Sequence, residues 1–152
     1  MWGWIHLNGV GELAEIEGRF NSEKYIEILE EVMLPSVRAY ALPYPETIIY
    51  VHDRSPIHMA RVVTRWFQEQ RDIEVLDWPS KGCDMNPIEN VWAHIVNAWE
   101  PAAERTRAQL LQHTNTEWEV LRRRPDIVYN TVADMQERFQ TVIDAQGGWG
   151  KY

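Results

Sequence analysis

The chain has 152 residues, a formal net charge of −8 and a single cysteine. That length fits one domain, able to remove about two-thirds of its unfolded surface from water. With 45% apolar and 25% charged residues the composition is globular, which excludes a disordered polar chain. The acidic balance argues against a domain that grips nucleic acid by itself through counterion release.

Trp2 to Leu7 reads as a strand, Asn8-Gly9 as a type I′ hairpin turn, and Val10 to Glu17 as the returning strand, ending at Gly18. A hairpin that begins at residue 2 suggests structure lost upstream. Asn21 or Ser22 caps a helix to about Met33, with Tyr25, Ile26, Leu29 and Met33 as its apolar stripe and Pro35 soon after its end. Pro43 and Pro45 mark a loop. Thr47 to Val51 is β-branched and aromatic throughout, the pattern of a strand buried on both faces. Ser55 as N-cap and Pro56 at the first position start the next helix, with Met59, Val62, Val63, Trp66 and Phe67 in helical phase. Ile73 to Trp78 is a short strand. Asn86-Pro87 opens a helix with Ile88, Val91, Trp92, Ile95 and Trp99 on one face, ended or kinked by Pro101. Helices follow over about Thr106–Arg122 and Asp126–Ala145, the last with Val128, Val132, Met135, Phe139, Val142 and Ile143 on one stripe. The order β-β-α-β-α-β-α followed by helices gives a mixed α/β domain with helices on both faces of a sheet. Cys83 has no partner for an internal disulfide, which fits a reducing compartment, nuclear or otherwise intracellular. No apolar run is long enough to span a bilayer, and no signal peptide is visible, so no membrane partner is expected.

Asp53 lies just past the carboxyl end of the Thr47–Val51 strand, where open α/β sheets place their ligands. Glu89 lies in the first turn of the helix after Asn86-Pro87. Carboxylate oxygens are the preferred ligands of Mg²⁺ and Mn²⁺. Two such ions about 4 Å apart activate a nucleophile and stabilise the leaving oxygen of a phosphodiester. Both residues also have a plain reading: Asp53 as a turn residue, Glu89 as the N3 partner of an Asn cap. The residues alone leave both open.

His52-Asp53-Arg54-Ser55-Pro56-Ile57-His58, Asp77-Trp78-Pro79-Ser80 and Asp84-Met85-Asn86-Pro87-Ile88-Glu89-Asn90-Val91-Trp92 resemble the second and third acid motifs of mariner-like DDE transposases. Trp2-Gly3, Asn8-Gly9-Val10-Gly11, Ile16-Glu17-Gly18 and Asn21 through Leu29 are similar to the segment preceding the second acid in that family. Met135 through Ile143, with Gly147-Gly148 and Tyr152, is similar to its C-terminal end. The resemblance implies an RNase H-like mixed sheet, with residues 1–152 as the C-terminal part of one catalytic domain. It implies Mg²⁺ or Mn²⁺ held by Asp53 and Glu89 as metal-binding catalytic acids, and DNA cleaved at element ends and joined to a target. Asp84 matches a family position that is not a ligand, and Cys83 departs from the proline usual there.

The resemblance also implies a first acid on a strand before Trp2, and no aspartate precedes Asp53 in these residues. Glu12, Glu15 and Glu17 are the nearest upstream acids, but they sit on the hairpin. In the implied fold the absent strand is central, between Trp2–Leu7 and Thr47–Val51. Each buried unpaired backbone group costs about 1–3 kcal/mol. The expectation is therefore a truncated domain, inactive alone, with the gap closed by direct pairing, a homo-oligomer or a partner protein. The alternative is a domesticated interaction or assembly subunit of a larger complex. His58, five residues past Asp53, either orients the site or packs at a helix start. His6, His52, His94 and His113 show no metal-ligand spacing. Arg122-Arg123-Arg124 reads as a solvated helix end before a phosphate contact, and Trp66, Trp92 and Trp99 as core before base-stacking platforms.

Overall fold

Among the described residues, two short sheets and seven α-helices follow the expected element order. The computed structural model describes residues 1–40, 47–79, 82, 85–100 and 106–146. The chain divides into two compact units, Met1–Trp4 with Gly11–Asn86, and Ile5–Val10 with Pro87–Tyr152. The hairpin strands β1 (Trp2–His6) and β2 (Gly9–Ala14) pair with each other. Its turn falls on Leu7-Asn8, and Gly9 takes φ +136° while Asn8 keeps a negative φ. The expected type I′ turn at Asn8-Gly9 is thereby corrected, since that turn needs positive φ at both central residues.

In the first unit, Asn21 caps α1 (Ser22–Ile28), its side chain accepting the Lys24 N–H at 2.9 Å. The helix does not stop before Pro35, as the sequence suggested. A π-helical stretch, Leu29–Met33, carries it into α2 (Leu34–Tyr40). The Leu34 N–H reaches back five residues to the Leu29 carbonyl. This widening gives the Pro35 ring room where an unbroken α-helix would drive it against the carbonyl four residues earlier.

Strand β3 (Ile48–Tyr50) pairs parallel with β4 (Ile73–Val75) in the register Ile48↔Ile73, Ile49↔Glu74, Tyr50↔Val75. Its two faces are not both buried: Ile49 is 57% exposed, while Ile48 and Tyr50 pack on the core. That core gathers Trp4, Tyr25, Leu29, Met33, Leu34, Val63, Trp66, Phe67 and Ile73. Each such side chain contributes about 1.5–3 kcal/mol when fully buried. The indole N–H groups that enter it find acceptors, Trp4 on Ser36 Oγ at 2.9 Å and Trp66 on Glu30 Oε1 at 2.8 Å, as buried donors must.

Helix α3 runs Arg61–Glu69, five residues later than Ser55-Pro56 suggested. The Ser-Pro start does form a turn, with Met59 N–H on the Ser55 carbonyl at 2.9 Å and His58 N–H on Ser55 Oγ at 3.3 Å. Ala60 then takes an extended ψ of 140° and ends it. Val63, Trp66 and Phe67 fix the helix to the core, and Met59, outside the helix, and Val62 are left exposed.

In the second unit, α4 (Pro87–Asn97), α5 (Arg107–Arg123) and α6 (Pro125–Ala133) pack on one another, and α7 (Met135–Asp144) packs on α6. Thr106 and Gln109 close a capping box at the start of α5. Val91, Ile95, Trp118, Leu121 and Val128 are buried, and Trp92 stacks on Trp118 at 5.3 Å. The single helix expected over Asp126–Ala145 is two, broken at Asp134 where ψ flattens to −9°. Aspartate is a poor interior helix residue because its side chain competes for nearby backbone. The loop at Pro43 and Pro45, residues Ser80, Cys83 and Asp84, the stop at Pro101 and the Gly147-Gly148 and Tyr152 matches lie outside the described residues. Among the described residues no helix is long and apolar enough to cross a membrane.

Candidate functional site

The end of β3 delivers Val51, His52 and then Asp53 into a stretch without regular structure. Asp53 Oδ1 accepts the Ser55 N–H at 3.0 Å, the turn reading foreseen from sequence. The same oxygen lies 2.6 Å from His58 Nδ1. The Pro56–Met59 turn makes this possible by folding His58 back toward the strand end. Asp53 Oδ2 accepts no hydrogen bond among the described residues, and the side chain is 36% exposed. Burial works against ionisation of Asp53. The Ser55 backbone N–H, the adjacent His58 and, least, the Ser55 hydroxyl outweigh it and hold the carboxyl below the usual aspartate range. A carboxylate kept ionised, with one oxygen anchored and the other open, fits the chemistry of a hard-cation ligand.

Behind it lies a set of polar groups that sequence reasoning missed. Tyr25 Oη sits 3.1 Å from Tyr50 Oη and 3.1 Å from His52 Nδ1. Tyr25 is fully buried and His52 is 9% exposed. Burial, with the His58 imidazole nearby, lowers the His52 pKa to about 4, so His52 is neutral at pH 7. Burial also pushes Tyr50 up to about 12 and Tyr25 well above its ordinary value. The His52 and His58 rings stack at 5.1 Å and 6°, and Tyr25 lies 4.3 Å from His58. In the sequence these residues read as stripe and strand positions. The available signal was a phenol on an apolar face, since a buried hydroxyl needs a partner.

A cleft of about 420 Å³ opens beside these rings, lined by His52, Arg54, His58, Phe67, Asp77 and Trp78 among others. Arg54 Nη1 is 3.6 Å from Asp77 Oδ1, with the aspartate almost fully exposed; pairs of that kind stabilise little. The Trp78 indole N–H bonds the Gly82 carbonyl at 2.6 Å.

Glu89 is the third residue of α4, exposed in its first turn where the helix dipole favours a negative charge. Asp53 belongs to the first unit and Glu89 to the second. Among the described residues no three His, Cys, Asp or Glu side chains form a group able to hold a metal ion.

A family model described as DDE superfamily endonuclease matches residues 1–111. The chain belongs to that family. It is 30% identical over its full length to the transposable element Tcb2 transposase of Caenorhabditis briggsae, and 28% to the Tc1 transposase of Caenorhabditis elegans. It spans about half of each of these curated relatives, 54% of their length. Its fold matches the crystal structure of the catalytic domain of Mos1 mariner transposase with a TM-score of 0.78 at 19% identity, covering 98% of this chain and 74% of that one. A Mos1 catalytic-domain structure with raltegravir and manganese matches at 0.74 and 18% identity. This DDE-family chain thus has the mixed α/β, RNase H-like architecture of the mariner catalytic domain, as its motifs implied.

Proposed function

We propose that this chain is part of a DDE transposase catalytic domain and supplies two of its carboxylates, Asp53 and Glu89, to a divalent-metal site acting on DNA. The observation that carries the reading is the presentation of Asp53, ionised at a strand end with Oδ2 open. Mg²⁺ or Mn²⁺ bound there would polarise a phosphodiester and activate its nucleophile. Asp53 would hold the ion through Oδ2, and Glu89 would supply a second oxygen from the first turn of α4. The manganese in the Mos1 structure and the transposase relatives support this choice of ion and of DNA as substrate. A third acid would come from polypeptide outside these 152 residues, so the chain alone is inactive. In the described residues β1 pairs only with β2 and β3 only with β4. A further strand on these two-stranded sheets would come from a second copy or a partner protein, in a nuclear or other intracellular setting. The net charge of −8 leaves tight DNA binding to other parts of the assembly.

Nicking of supercoiled DNA in Mg²⁺ or Mn²⁺ is the test. The chain alone leaves the plasmid intact. A version extended to carry a strand and an aspartate before Trp2 nicks it, and Asp53→Asn or Glu89→Gln abolishes the nicking. Unchanged nicking in both variants would overturn the assignment, and an extended chain that neither nicks nor binds Mn²⁺ would favour a domesticated assembly subunit.

A further inference from the structure

Asp53 meets its surroundings asymmetrically. Oδ1 takes two bonds, from the Ser55 N–H at 3.0 Å and at His58 Nδ1 at 2.6 Å, while Oδ2 takes none among the described residues. An ionised carboxylate only accepts, so His58 carries its hydrogen on Nδ1 in this pair. His58 is itself enclosed. Its backbone N–H rests on Ser55 Oγ at 3.3 Å, and its ring lies 4.3 Å from Tyr25 and stacks 5.1 Å from His52. Tyr25 and His52 are tied together, and Tyr25 to Tyr50, by the 3.1 Å bonds behind them. A ring packed on two neighbours and bonded at Nδ1 is not free to turn, and neither is the carboxylate it holds.

We propose that His58 is a positioning residue: its Nδ1–H fixes Asp53 Oδ1 so that Oδ2 alone is offered to a divalent cation, with Tyr25 and His52 as the wall behind it. This rests on the reading of Asp53 as a metal ligand. An untethered aspartate rotates about χ2 and must be ordered when the ion binds, at a cost in entropy. A held one is ordered beforehand. Partners of this kind orient the ligand and raise metal affinity without touching the ion. His58 is thereby excluded as a ligand through Nδ1, because that nitrogen is committed to Asp53.

Two substitutions separate the hydrogen bond from the packing. His58→Phe keeps a planar ring against Tyr25 and His52 and has no donor. His58→Asn keeps a donor close to the Nδ1 position and gives up the ring. Binding is read from the free Mn²⁺ signal by electron paramagnetic resonance, titrating the 152-residue chain with the metal alone, and folding from circular dichroism. His58→Phe weakens Mn²⁺ binding by about ten- to hundredfold, and His58→Asn stays within about threefold of the wild type. A His58→Phe chain that binds as the wild type does, or a His58→Asn chain as weak as His58→Phe, overturns the inference and leaves Asp53 as a ligand untouched. Should His58→Phe not fold, His58→Asn decides alone: affinity near the wild type supports the inference and a tenfold loss ends it. A wild-type chain whose Mn²⁺ binding is absent, or is unaffected by Asp53→Asn, removes the ligand assignment and the inference with it.

Discussion

Tyr25→Phe removes one oxygen from a buried polar contact of the first unit. That oxygen joins Tyr50 Oη and His52 Nδ1, each at 3.1 Å, on a side chain with no exposed surface. The ring stays, so no cavity term arises. Each net hydrogen bond is worth about 0.5–1.5 kcal/mol, so Tyr25→Phe costs about 1–3 kcal/mol. Tyr50→Phe removes only the shared bond and costs about 1 kcal/mol. In the double variant that bond is counted once, so the combined loss equals that of Tyr25→Phe alone and the cycle shows a coupling of about 1 kcal/mol. Urea unfolding followed by tryptophan fluorescence measures it as a shift in midpoint at constant slope. A Tyr25→Phe midpoint indistinguishable from the wild type, or a cycle additive within about 0.3 kcal/mol, would refute the contribution of these two bonds.

His52 gives a pH dependence in metal-free buffer. Its folded pKa of about 4 lies below the ordinary histidine value of 6.5, so the unfolded chain takes up a proton that the folded chain refuses. The stability tied to His52 is complete above pH 6.5 and is lost as the pH falls to about 4, amounting to about 3 kcal/mol. Urea midpoints in chelator at pH 7, 6 and 5 should fall in that order, and His52→Gln should flatten most of the trend; a midpoint that holds steady would show His52 open to water. The shift at Asp53 acts in the same direction but in the more acidic carboxylate range. Gly11→Ala tests the hairpin, because a methyl there would lie 2.0 Å from Trp4 Cε2, and Trp4 is buried and tied to Ser36. Overpacking of this kind costs about 1–3 kcal/mol, and an unchanged melting temperature would mean that Trp4 moves aside freely.

The sequence alone placed the elements that local chemistry controls. Asn21 caps α1 because its short side chain reaches the Lys24 N–H, Thr106 with Gln109 starts α5, and Trp66 and Phe67 point inward because helical spacing puts them on one face. The proposal of Asp53 and Glu89 as metal ligands comes from motif resemblance and from the strand-end and helix-start positions that those motifs occupy. Other features needed the fold. Ser55-Pro56 is a genuine start signal, yet the helix begins at Arg61, since packing of Val63, Trp66 and Phe67 sets its phase and a one-turn signal cannot. Pro35 continues a helix because the π-helical step from Leu29 relieves the clash that makes proline a stop. The partners of Asp53, Ser55 and His58, are local and were legible as a turn and an orienting group. The groups behind them belong to tertiary structure, with Tyr25 reaching His52 across 27 positions of sequence. Local pattern carries the backbone preferences of a few neighbouring residues; which buried hydroxyl meets which imidazole is decided only when distant segments are packed together and each must find a partner out of water.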